Sequence, residues 1–135
     1  MNPEAADFWA RALQALRTAV GTASADPDAA ASRAYYAAFY AVSALFALEE
    51  RTFSRHSALE AAVHRDLVKA QRWSTELGED YAFLLRLRTT GDYGGDLHVA
   101  EEEAQVAIQA THRILCAVQT TRPELFPKVD NPTTR

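Results

Sequence analysis

An all-α fold, an up-and-down bundle of about five helices, follows from three observations on this 135-residue chain. Apolar residues recur at intervals of three and four, and no stretch alternates apolar with polar as a half-buried strand would. Two helix starts pair a capping side chain with a following proline, Asn2-Pro3 and Asp26-Pro27. Gly91, Gly94 and Gly95 supply a stop, and the length is that of one domain with its own core.

The first helix opens at Pro3 and carries Phe8, Trp9, Ala12, Leu13, Leu16 and Val20 as one apolar stripe, ended by "GTASADPD". The second, about 27 to 48, is apolar nearly all round: between Asp28 and Glu49 its only charge is Arg33. Its nine alanines and three tyrosines predict the centre of a bundle, where small side chains let neighbouring helices come close. The third, roughly 56 to 73, presents Leu59, Val63, Leu67 and Ala70, with Ser54 or Ser57 as its expected cap. The fourth, roughly 76 to 91, runs through Leu77, Tyr81, Leu84 and Leu85. The fifth, about 98 to 119, has Glu101, Glu102 and Glu103 near its positive N-terminus and an apolar face of Ala104, Ala107, Ile108, Thr111, Leu115 and Val118. The bundle is expected over residues 1–120. Residues 121–135, with three of the five prolines, are expected as an extended, loosely held tail.

Composition narrows the function. The net charge of −4 leaves no global basic field to hold nucleic acid, although a local basic seam remains compatible with it. Cys116 stands alone in an apolar helical pattern, as a small core residue does, which fits a cytoplasmic setting. No membrane span and no signal-peptide order is expected. No paired-Cys or HExxH spacing points to a metal, and no Gly-rich phosphate loop or GxSxG points to a cofactor or hydrolase, so neither metal nor cofactor is expected.

Helical spacing places residues 77, 81, 84, 88 and 92 on one stripe. Arg88 and Asp92 therefore continue an apolar face, where a charge is costly unless paired. Arg before Asp is the weaker order for an exposed helix pair, so tertiary contacts are expected to hold the two. Tyr93 adds a hydroxyl at the same helix end. On the second helix Arg33, Tyr36 and Tyr40 line one ridge, and His56 stands at the mouth of the third. Two readings remain open on these residues alone. One is a buried ion-pair network that fixes helix register, and the other an anion-binding cleft, since guanidinium groups suit phosphate.

The segments "SRAYYAAFYAVSALF" (32–46), "SRHSALEAAVHRDLVK" (54–69), "LLRLRTTGDYGG" (84–95) and "EEEAQVAIQATHRIL" (101–115) resemble, in that order, the HEPN-domain proteins. The nearest branch is the small stand-alone kind often encoded beside a minimal nucleotidyltransferase. The resemblance implies four long helices plus a shorter one, paired as a homodimer. In many members an Arg-x4–6-His motif on a late helix meets its copy across the dimer and cleaves RNA without a metal, as a toxin or antiviral nuclease. The nucleotidyltransferase acts as antitoxin, in some cases by adenylylating a tyrosine near the motif.

Arg88 takes the arginine position of that motif. Five residues on stands Tyr93, preceded by Asp92, where the family has histidine. Histidine exchanges protons near neutral pH, whereas a tyrosine with a pKa near 10 is a poor base. Enzymatic activity therefore stays open, with Arg88, Asp92 and Tyr93 as candidate catalytic residues. Arg33, Tyr36, Tyr40, His56 and Arg88 are candidates for binding nucleotide or RNA. The expectation is a partner of a minimal nucleotidyltransferase in a toxin–antitoxin-like module. The alternatives are a metal-independent RNase toxin and a purely structural helical dimer.

Overall fold

The computed structural model describes residues 2–132, and among them every regular element is helical. The elements are α1 (Pro3–Thr22), α2 (Pro27–Leu48), α3 (His56–Ala62) continued by a π-helical run (Val63–Lys69), α4 (Thr75–Tyr93) and α5 (Glu101–Thr121). The all-α bundle expected from the periodicity is what the chain forms.

Asn2 caps α1 by accepting the N–H groups of Glu4 and Ala5 at 2.9 and 3.2 Å. Its own amide donates to the Ala47 carbonyl at 2.7 Å, so one residue starts α1 and fastens it to the end of α2. Asp26 caps α2 in the same way, accepting from the Ala29 N–H. α2 is central: it packs on α1, α5 and α4, and thirteen of its residues are buried, most of them alanine. Small side chains on every face permit this threefold enclosure. From α5, buried Thr111 donates its hydroxyl to the Ala34 carbonyl at 2.7 Å and locks that helix pair. No helix among the described residues is long and apolar enough to cross a membrane.

Three elements differ from expectation. The third helix does not run as one α-helix to residue 73. It becomes π-helical at Val63 and ends at Lys69, with Val63 and Leu67 buried and Ala70 exposed. Neither Ser54 nor Ser57 caps it: the N-cap is Arg55, with no side-chain hydrogen bond. α5 begins at Glu101 rather than 98, because the Asp28 carboxylate draws the preceding strip onto the start of α2. It accepts the Val99 N–H at 2.7 Å and lies 2.7 Å from His98 Nδ1. After α5 the chain is irregular, yet it lies against the bundle. Phe126 is buried and stacks on Trp9 at 4.7 Å, and Trp9 Nε1 donates to the Pro127 carbonyl.

α4 passes very close to the start of α2. A Cβ on Gly91 would stand 2.8 Å from the Asp28 carbonyl oxygen, so only glycine permits this approach. The contact places the last turn of α4, with Arg88, Asp92 and Tyr93, beside the tyrosines of α2.

Candidate functional site

The α2 segment "RAYYAAF" sets aromatic rings where three elements converge. Tyr35 is fully buried, while Tyr36 and Phe39 are half-buried. Tyr35 and Tyr36 meet edge to face at 5.2 Å. α4 brings Arg88 over both, its guanidinium carbon 5.6 Å from the Tyr35 ring and 5.5 Å from the Tyr36 ring. Tyr93 closes a third side at 5.4 Å. Three rings around one cation contribute about 0.5–2 kcal/mol each, depending on how fully water is excluded.

Arg88 is held and yet not saturated. Its Nη2 donates to the Tyr36 hydroxyl at 3.1 Å. Its Nε lies 2.9 Å from Asp92 Oδ2, an i,i+4 ion pair within the chain. That N–H does not point at the carboxylate, however, and the buried Nε makes no hydrogen bond. Burial works against the charge on Arg88, but Tyr36, Tyr93 and Asp92 together outweigh it and hold its pKa above the ordinary value. Asp92 also receives a long hydrogen bond from Ser32 Oγ at 3.4 Å.

His56, at the first position of α3, enters from the other side. It stacks on Phe39 at 4.4 Å, and its Nδ1 lies 3.0 Å from the Tyr35 hydroxyl. Desolvation first, and the Arg88 charge second, push its pKa below the usual 6.5. The ring is therefore neutral at pH 7 and keeps Nε2 clear of that contact. Burial raises the Tyr35 pKa. Tyr81 beneath it is fully enclosed, and desolvation first, then the neighbouring Tyr35, hold its pKa well above the ordinary value.

Folding thus brings together Tyr36, His56, Arg88, Asp92 and Tyr93. Arg33 and Tyr40 touch this group through the Tyr36 ring. Arg33 stacks its guanidinium on that ring at 4.9 Å, and Tyr40 stacks on Phe8 of α1. Tyr35, Phe39 and Ser32 belong to the cluster although the ridge of Arg33, Tyr36 and Tyr40 left them out. A helix apolar on every face has no phase by which to choose among its aromatics. Asp28 was read only as the edge of α2. Its carboxylate is held below 3.8 by the Val99 N–H and then by His98. Among the described residues no three His, Cys, Asp or Glu side chains converge as a metal site.

Arg88 brings a charged guanidinium to the cleft, a neutral imidazole stands nearby, and Tyr93 presents its side chain at 70% exposure. Such a set is suited to receiving an anion between aromatic walls. Known proteins carry the same chain pattern. A UPF0332 protein of Thermotoga maritima is 39% identical over 90 residues, covering 67% of this chain and 68% of the relative. Another UPF0332 protein, from Gloeobacter violaceus, is 33% identical over 117 residues, covering 85% and 93%. A protein of Methanocaldococcus jannaschii named as a putative toxin is 31% identical over 88 residues, covering 65% and 60%. The family model of the HEPN domain matches residues 5–121, from the first turn of α1 to the end of α5, and the chain belongs to the HEPN-domain family.

Proposed function

We propose that this chain is the HEPN component of a toxin–antitoxin-like module, partnered by a minimal nucleotidyltransferase, and that it binds nucleotide or RNA phosphate at the Arg88 cleft. The observation that carries the reading is the setting of Arg88: a charged, largely buried guanidinium paired with Asp92 and walled by Tyr35, Tyr36 and Tyr93. A phosphate oxygen accepts from the guanidinium, and a base stacks on the exposed Tyr93 ring.

Tyr93 is also the accessible acceptor for the partner. In adenylyl transfer its hydroxyl oxygen attacks the α-phosphorus of ATP. The new O–P bond replaces the bond to pyrophosphate, which leaves, and the phenolic proton passes to a base of the nucleotidyltransferase. The added phosphodiester sits beside Arg88 and occupies the cleft. The cytoplasm is the setting for such a module, and a homodimer apposes two Arg88 clefts.

Metal-independent RNA cleavage is the second reading, and one observation favours it. His56, neutral at pH 7 and near Arg88, takes the base role for which Tyr93 is unsuited. It withdraws the 2′-hydroxyl proton while Arg88 stabilises charge on the phosphorus oxygens.

Expression of the chain alone, and together with a minimal nucleotidyltransferase, tests both. Under the first reading the two proteins co-purify, and the chain gains one adenylyl group that is absent in Tyr93→Phe. Failure to co-purify and to bind any nucleotide sinks it. Under the second, expression alone slows growth and Arg88→Ala and His56→Ala each relieve it. Undiminished toxicity of either variant rules out that role.

A further inference from the structure

His56 and Arg88 flank the same two rings of α2. The His56 ring lies 5.8 Å from that of Tyr35 and 5.6 Å from that of Tyr36, and the Arg88 guanidinium stands 5.6 and 5.5 Å from the same pair. A neutral imidazole carries one proton, and what it offers the cleft depends on which nitrogen holds it. A bare Nε2 takes up a proton, whereas an Nε2–H donates to an anion. The buried side of the ring decides between the two.

On that side Nδ1 lies 3.0 Å from the Tyr35 hydroxyl. Tyr35 is 1% exposed, and Tyr81 beneath it is wholly buried, the two rings crossing edge to face at 6.0 Å. Among the described residues the side chain that hydrogen-bonds the Tyr81 hydroxyl is Tyr35, in a looser contact than the one to His56. Burial keeps both phenols protonated. The stack of Tyr81, Tyr35 and His56 therefore has two contacts to fill. With Nδ1 bare, Tyr81 donates to the Tyr35 oxygen, Tyr35 donates to Nδ1, and each contact holds one proton. With Nδ1 protonated, three protons compete for the same two contacts, and one phenol keeps a buried O–H with no acceptor. A stranded donor of this kind biases the tautomers about fivefold or more. Nε2 makes no hydrogen bond among the described residues and is not enclosed, so the proton it carries meets no such penalty.

We infer that the Tyr81–Tyr35 pair holds His56 as its Nε2–H tautomer, and that His56 and Arg88 are joint donors to one oxyanion in the cleft. Tyr35 and Tyr81 act through His56 and are positioning residues. The inference rests on the anion-binding reading of the cleft and deepens it: His56 becomes a donor there and loses the base role of the second reading. Arg88 supplies the charge and His56 an uncharged donor, so the two approach one anion without the repulsion of two cations.

Long-range proton–nitrogen correlation spectra of the full chain at pH 7, with the His56 signals assigned by their loss in His56→Gln, read the tautomer directly. A pyridine-like Nδ1 and a pyrrole-like Nε2 are expected. A protonated Nδ1 overturns the inference, whatever the chain binds. Tyr35→Phe and Tyr81→Phe each remove one buried oxygen and keep the ring, and both are expected to bring the two tautomers toward an even mixture. A His56 pattern unchanged in both overturns the positioning role. Calorimetry with AMP tests the donor. His56→Ala is expected to weaken AMP binding about tenfold, the loss of one charge-assisted contact. His56→Gln, whose amide restores an N–H but no base, should return it to within about threefold of the unaltered chain. Full affinity in His56→Ala, or a loss in His56→Gln equal to that in His56→Ala, overturns the donor role. If Arg88→Ala binds AMP as the unaltered chain does, or the unaltered chain binds none, the anion-binding reading fails and the donor role with it, while the spectra still decide the tautomer.

Discussion

The same substitution, glycine to alanine within a helix, should change stability in opposite directions at Gly91 and Gly21. Alanine lowers the entropic cost of ordering a helical residue and improves helix propensity by about 0.8–1 kcal/mol. At Gly21, in the last turn of α1, a new Cβ meets nothing within 4 Å, so that gain is realised. At Gly91 the Cβ would lie 2.8 Å from the Asp28 carbonyl oxygen and 3.4 Å from two more backbone atoms of Asp28. Those atoms belong to the first turn of α2, fixed by the Asp26 cap and by the Asp28 contacts to His98 and Val99, so they cannot turn aside as a side chain would. Overpacking of this kind costs about 1–3 kcal/mol. Set against the propensity gain, Gly91→Ala is expected to destabilise by about 0–2 kcal/mol, and Gly21→Ala to stabilise by about 0.5–1 kcal/mol. Urea unfolding followed by circular dichroism measures both, and in thermal melts each kcal/mol amounts to about 3–5 °C for a chain of this size. Gly91→Ala should also disturb the Ser32–Asp92 contact one turn away and weaken nucleotide binding. If Gly91→Ala raises the midpoint as Gly21→Ala does, α4 and α2 are not in backbone contact at this point, and the account of what positions the cleft is wrong.

Two further outcomes are expected. His56 should titrate below 6.5 by NMR, because burial and then the Arg88 charge disfavour its imidazolium, and Arg88→Ala should move it part of the way back. Its folded pKa lies below the unfolded value, so its contribution to stability is complete above about pH 6.5 and is lost as pH falls through the lower folded pKa. A titration at or above 6.5 contradicts the burial of this ring. Phe126→Ala should cost about 3 kcal/mol, at the low end for a buried phenylalanine because the chain around it can collapse, and should shift Trp9 fluorescence toward longer wavelength. A change within a few tenths of a kcal/mol would mean that residues 122–132 do not dock on α1.

The phase of α5 was legible: Ala104, Ala107, Ile108, Thr111, Leu115 and Val118 are all buried, and the same face widens to take in Ala110 and Ile114. Asn2-Pro3 and Asp26-Pro27 marked two helix starts for an equally local reason, the geometry of cap and ring. The phase of α4 placed Arg88 at the edge of the core and Asp92 within its reach. The tertiary structure alone decided which rings surround that arginine. α2 is apolar on every face, so its own pattern does not say that Tyr35, Tyr36 and Phe39 gather around Arg88 and His56 while Tyr40 turns to α1. His56 is 32 positions from Arg88 in sequence, and nothing local measures the distance between the start of α3 and the end of α4. The same holds for Asp28, whose carboxylate shortens α5 by tying down His98 and Val99, and for Phe126, which finds Trp9 at the other end of the chain. Periodicity and caps are properties of a few consecutive residues and survive in the sequence. The site is made of contacts between segments far apart in the chain, and those exist only once the bundle has closed.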